Sequence, residues 1–142
     1  RCVETVGPAE LICVMPERCA LALRETLRFA DLREETLISY RADTLPAQLL
    51  TAAAEADGVA YAPAIEIDLS ITALPFVRDG LGVAIVDGLL PWATFPGLVT
   101  RPFLPRTLVP IAILTSKERP LSANHALMRD HLREACASSR EA

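Results

Sequence analysis

The sequence predicts an α/β sandwich, and three observations carry that prediction. Short apolar runs alternate with amphipathic stretches at helical spacing, the connections between them are short, and the run Gly82-Val-Ala-Ile-Val86 has no polar alternation, as a strand covered on both faces would not. The chain has 142 residues, 51% of them apolar, which is enough apolar side chain for a sizeable core in one ordinary domain. Intrinsic disorder is excluded for most of it.

The elements follow in order. The segment Glu10 to Met15 carries a short continuous apolar run, stopped by Pro16, which suits a buried strand. Thr36-Leu-Ile-Ser-Tyr40 is β-rich enough to be the next strand. Asp43 is an N-cap type of residue, and Leu45, Leu49, Leu50 and Ala53 then recur at helical spacing until Asp57-Gly58 offers a stop. Ala64-Ile-Glu-Ile-Asp68 alternates like a half-exposed strand. Ser70 is the expected cap of a helix with Ile71, Leu74, Val77 and Leu81 on one face and Gly80 just past its end. Gly82 to Val86 is then a buried strand ended by Asp87-Gly88.

From Leu89 to Arg106 prolines crowd the chain, with Trp92, Phe95 and Phe103 between them, and the stretch reads as loop or linker. Val109 to Thr115 reads as a strand whose Pro110 is confined to its first residues, and Ser122 caps a final helix. On that helix Leu121, Met128, Leu132 and Ala135 are expected to face inward, and Arg129, Asp130, Arg133 and Glu134 to face water. The tail from Ser138 to Ala142 is expected to fray.

Composition narrows the function classes. Fourteen Lys plus Arg against 18 Asp plus Glu give a formal net charge of −4, so the segment carries no basic footprint for nucleic acid. The longest apolar region, Leu81 to Val99, is broken by Asp87, Pro91 and Pro96 and cannot make a membrane span. Cys2, Cys13, Cys19 and Cys136 lack metal-ligand spacing, and nothing resembles a signal peptide, so reduced thiols in a cytoplasmic protein are the default. Cys13 inside Leu11-Ile-Cys-Val14 reads as a small buried hydrophobe, with pairing to Cys19 as the alternative. The chain opens on Arg-Cys-Val and reads as a piece of something longer.

No constellation for catalysis emerges, and no cofactor or metal is implied. His125 and His131 lie six positions apart on the last helix and point to different faces, and Glu66 and Asp68 fit a solvated strand face better than paired acid/base work. Gly80-Leu-Gly82 follows a helix and precedes a strand, the reverse of a phosphate-binding glycine loop. More informative are the strand-to-helix turns at Ser39 to Asp43 and Asp68 to Thr72, because ligands of open α/β sheets bind outside the carboxyl ends of strands. These turns supply hydroxyls, helix amides and the Arg41 guanidinium, while Asp43 and Ser70 serving only as caps is the alternative.

The order of motifs resembles the effector-binding domain of LysR-type transcriptional regulators over nearly the whole chain. The resemblance rests on Leu11-Ile-Cys-Val-Met-Pro16 with Leu21-Ala22, Phe29-Ala-Asp-Leu32 with Leu37-Ile38, Ser70-Ile-Thr-Ala-Leu74, the segment Val77-Arg-Asp-Gly-Leu-Gly-Val-Ala-Ile-Val86, and Arg119-Pro-Leu-Ser122. It departs from the family at Arg18-Cys19-Ala20, where Gly-His-Pro is usual, and at Met128, where an aromatic is common. The resemblance implies a type 2 periplasmic-binding-protein-like fold of two α/β subdomains with the effector in the cleft between them. Residues 1–14 would be a crossing strand from regulatory subdomain I, 15–101 regulatory subdomain II, and 102–142 the return crossing with the C-terminal strand and helix of subdomain I. One α/β subdomain would thus be complete, and only the C-terminal part of the other present.

Carried over position by position, the effector side of subdomain II would comprise Ser39, Tyr40, Arg41 and Asp43, then Ser70, Ile71 and Thr72, then Asp87 and Gly88, with Phe103 and Pro105 near the hinge. Ser70 is the leading candidate, its hydroxyl and amide both donating to a carboxylate, with Arg41 as counter-ion. The expected partner is a small-molecule effector, a carboxylate or amino-acid derivative. DNA would be met only through a helix-turn-helix domain that this chain does not contain, and a homo-oligomer is expected. A solute-binding protein of a transport system shares the fold and is the alternative; an α/β enzyme is a third reading.

Overall fold

The computed structural model describes residues 1–118 and 122–138. The expected inward position of Leu121, most of the Arg119-Pro-Leu-Ser122 motif and the tail beyond Ser138 lie outside the described residues. The chain divides into two compact units, residues 1–9 with 110–142, and residues 10–109. The strand β1, Cys2–Pro16, runs through both.

Between residues 10 and 109 the sheet order is β3 (Ile65–Ile67), β2 (Leu37–Tyr40), β4 (Val83–Asp87), β1, β5 (Leu98–Pro102). β2 is parallel to both β3 and β4, whereas β4 and β5 are antiparallel to β1. Helices α1, Leu45–Ala56, and α2, Ala73–Arg78, supply the crossovers that parallel neighbours require. Cys13, Val14, Ile38, Leu50, Val77, Val83 and Ile85 lose all or nearly all contact with water in the core. This is the α/β architecture that the periodicity predicts.

Several local expectations need correction. Thr44, not Asp43, caps α1: its hydroxyl oxygen accepts from the Ala47 N–H at 3.3 Å, and Pro46 in the first turn has no N–H to leave unsatisfied. Ser70 opens a single 3-10 turn, Ser70–Thr72, rather than capping an α-helix, and α2 ends at Arg78. Leu81 therefore lies beyond the helix and is exposed, while Gly80 takes the positive φ of 78° expected just past a helix end. The stretch 89–106 is not wholly loop. It holds β5, which uses Leu98-Val-Thr and sits at the sheet edge with Pro102 last, where the missing N–H costs no ladder bond.

The other unit contains the first residues of β1, all but the first two residues of the strand β6 (Leu108–Thr115) that pairs with β1, and α3 (Ala123–Ser138). The Ser122 hydroxyl stands at the start of α3 and accepts from the His125 N–H at 3.4 Å. The inward face of α3 is not the one expected. Ala126, Arg129, Arg133 and Cys136 are the half-buried positions, while Met128, Leu132 and Ala135 are exposed. Arg133 pairs with Glu4, its Nη2 donating to Oε2 at 2.7 Å, and Cys136 packs over Gly7, so contacts far apart in sequence turn the polar-flanked side of the helix to β1.

Candidate functional site at the carboxyl edge of the parallel strands

Because β3, β2 and β4 are parallel neighbours, their carboxyl ends share one edge, and the segments after Tyr40, Ile67 and Asp87 turn over it together. Open α/β sheets bind ligands outside this edge. Asp87 is its centre. Its Oδ2 accepts from the Tyr40 hydroxyl at 2.7 Å and from the Ser70 hydroxyl in a shorter contact, and its Oδ1 accepts from the Leu89 N–H at 3.1 Å. The Asp87 N–H donates back to the Tyr40 oxygen at 2.9 Å, and the Trp92 indole N–H donates to the Asp87 carbonyl at 2.9 Å. Burial, and then the hydrogen bond to Asp87, push the Tyr40 phenol well above its ordinary range, so Tyr40 stays a protonated donor at neutral pH.

Arg41 and Asp43 form a second group. The Arg41 Nε and Nη2 groups donate to the two Asp43 oxygens at 2.6 and 3.0 Å, and Nη1 lies 3.0 Å from Asp68. The bond to Asp43 raises the guanidinium above its usual value, and the same bond holds Asp43 below the usual carboxylate range. Arg41 thus already lies against two carboxylates. The Ser70 hydroxyl, at the start of its turn, donates to Asp87.

The remaining expected residues separate by burial. Ser39 has no exposed surface and donates to the Ile85 carbonyl at 2.8 Å, tying β2 to β4 beneath the edge. Thr72 returns its hydroxyl to the Leu69 carbonyl at 2.6 Å, and the Gly88 N–H goes to the Glu10 carbonyl at 2.9 Å, so both hold loops in place. Ile71 is exposed. Phe103 is fully buried, its ring meeting Phe29 edge to face at 4.9 Å, and Pro105 follows a cis peptide bond. Sequence reasoning missed Tyr61, whose hydroxyl donates to the Tyr40 carbonyl at 2.8 Å, and Trp92; the one tryptophan among prolines was the available signal. Among the described residues no group of three His, Cys, Asp or Glu side chains could hold a metal ion, the four cysteines are free, and no helix is long and apolar enough to cross a membrane.

The match to a family model decides the family: the LysR substrate binding domain matches residues 2–137. The chain belongs to that family. LysR substrate-binding domains are parts of transcriptional regulators, not of enzymes, and their fold is the type 2 periplasmic-binding-protein-like one. Among solved structures the chain is similar to HinK, a LysR family transcriptional regulator from Pseudomonas aeruginosa, with a TM-score of 0.73 and 18% identity over 94% of this chain and 48% of that one. It is similar to the effector domain of AmpR of Pseudomonas aeruginosa, with a TM-score of 0.68 and 25% identity over 96% of this chain and 65% of that one. The effector-binding domain of QuiR in complex with shikimate matches with a TM-score of 0.70 and 14% identity over 96% of this chain and 66% of that one. The LysR domain described here thus spans about half the length of the full-length regulators that it matches.

Proposed function

We propose that this chain is the effector-sensing part of a bacterial LysR-type regulator, in which a small metabolite docks at the carboxyl edge of β3, β2 and β4. Binding there shifts the population of regulator conformations and so alters how a helix-turn-helix domain, outside these residues, contacts DNA in the cytoplasm. The acidic balance of the chain fits a sensor that leaves DNA to another domain, and the regulator acts as a homo-oligomer. The observation that carries the reading is the Asp87 carboxylate, fixed from three directions by Tyr40, Ser70 and Leu89 at the edge where α/β sheets bind ligands. A polar group oriented in advance costs a ligand little reorganisation.

A thermal-shift screen against carboxylates, amino acids, amines and sugars tests this, since a ligand of the native state alone raises the melting temperature. The expected result is a rise of several degrees with at least one class, reduced by Asp87→Asn. A ligand whose shift is indifferent to Asp87 and Ser70 substitutions would place effector binding elsewhere.

A further inference from the structure

The edge around Asp87 has a charge and a texture that restrict what it can bind. Its charged groups include the Arg41 guanidinium and the carboxylates of Asp43, Glu66, Asp68 and Asp87; Arg41 is held by Asp43 and Asp68, and Glu10, whose carbonyl accepts from the Gly88 N–H, pairs with Arg106. Asp87 takes part in none of the ion pairs among the described residues. Its three hydrogen bonds come from two hydroxyls and one amide, all neutral donors that orient the carboxylate without cancelling its charge. A carboxylate has about four acceptor sites, so one remains on the Oδ1 side.

A second observation is independent of charge. Seven large hydrophobic residues between 10 and 109 are exposed, and four of them, Leu45, Leu69, Ile71 and Leu89, lie in the segments that follow β2, β3 and β4. Leu69 and Ile71 flank Ser70, and Leu89 supplies the amide that bonds Asp87. A carboxylate outside the ion pairs of the described residues is thus bonded by Ser70 and Leu89, whose segments carry apolar side chains that folding leaves in water, a combination that favours a cation carried on an apolar body.

We infer that the effector presents an ammonium group to Asp87 and an apolar body to Leu69, Ile71 and Leu89. The inference rests on the effector-site reading above and replaces the carboxylate class that Arg41 had suggested. A carboxylate at this edge would meet the carboxylates of Asp43, Asp68 and Asp87 and an Arg41 guanidinium already engaged by two of them, and its approach to Asp87 is repulsive at short range.

Isothermal titration of the 142-residue protein with matched pairs tests it: butylamine against butyrate, and benzylamine against phenylacetate. The amines are expected to bind at least tenfold tighter than the carboxylates, and Asp87→Asn is expected to weaken them about tenfold or more, the loss of a charge-assisted hydrogen bond. Glu55→Gln, on the exposed face of α1, serves as control and leaves the affinity unchanged. Leu89→Ser changes an exposed position and is expected to weaken benzylamine more than butylamine; with the wild-type ratio it decides the matter even where Asp87→Asn fails to fold. Tighter binding of the carboxylates with sensitivity to Asp87 would overturn the ammonium assignment and keep the effector site. Absence of binding by both amines would also overturn it, and a thermal-shift screen without any ligand would remove the effector site as well.

Discussion

Tyr40 shows how one side chain serves both fold and site. Its hydroxyl donates to the Asp87 carboxylate and accepts from the Asp87 N–H, so it joins the end of β2 to the end of β4 by two bonds. Tyr40→Phe leaves that N–H without its acceptor and is expected to destabilise the protein by about 1–3 kcal/mol in urea unfolding. Ser39→Ala removes a fully buried bond to the Ile85 carbonyl, and the expected effect is about 1 kcal/mol of stability with no loss of ligand affinity, because Ser39 does not reach the edge. Burial pushes the Cys13 thiol from an ordinary 9.0 up to about 12. The unfolded thiol loses its proton first, so between these values the unfolded state binds fewer protons and stability falls as pH rises, by about 1.4 kcal/mol per unit from this group. Urea midpoints of wild type and Cys13→Ala, measured from pH 7 to 10.5, check the sign.

At the scale of elements, Gly82 decides whether β4 can lie beside β2. A Cβ on Gly82 would stand 2.1 Å from the Thr36 carbonyl oxygen and 2.9 Å from the Thr36 Cβ, where the Val83 N–H meets that same carbonyl at 3.0 Å. Gly82→Ala is expected to cost about 3 kcal/mol, against about 1 kcal/mol for Gly58→Ala, where only the positive φ of 69° opposes a side chain and nothing lies within 4 Å. Thermal unfolding of the two variants checks the ranking. The strands of the sheet were legible because each is a compact apolar run with punctuation, as in Val83–Asp87 before Gly88. β5 was not, because proline and glycine density reads as loop when the edge that accommodates it is unknown. The face of α3 was misread for a related reason: its periodicity marks Met128 and Leu132, but the pairing of Arg133 with Glu4, distant in sequence, decides which side meets β1. The turns of the site were visible as strand-to-helix punctuation. The bonds among Tyr40, Ser70 and Asp87 were not, since no local pattern says that these residues converge.

For the whole molecule, the two units differ in how much they bury. The residues from 10 to 109 contain nearly all of the core, whereas α3 has no buried residue and leaves Leu127, Met128 and Leu132 exposed. Amides of 123–138 are expected to exchange with solvent well before those of β2 and β4, as hydrogen exchange read by mass spectrometry would show, and the apolar side chains of α3 favour association that light scattering would detect at high concentration. Whether the carboxyl edge of the parallel strands receives the effector is read from a ¹⁵N–¹H correlation spectrum titrated with benzylamine. The largest shifts are expected on Tyr40, Ser70, Asp87 and Leu89, with Asp87→Asn moving their midpoint to about tenfold higher benzylamine. Shifts centred instead on the hollow lined by Phe29, Leu37, Val59 and Ala62, or on α3, would contradict it.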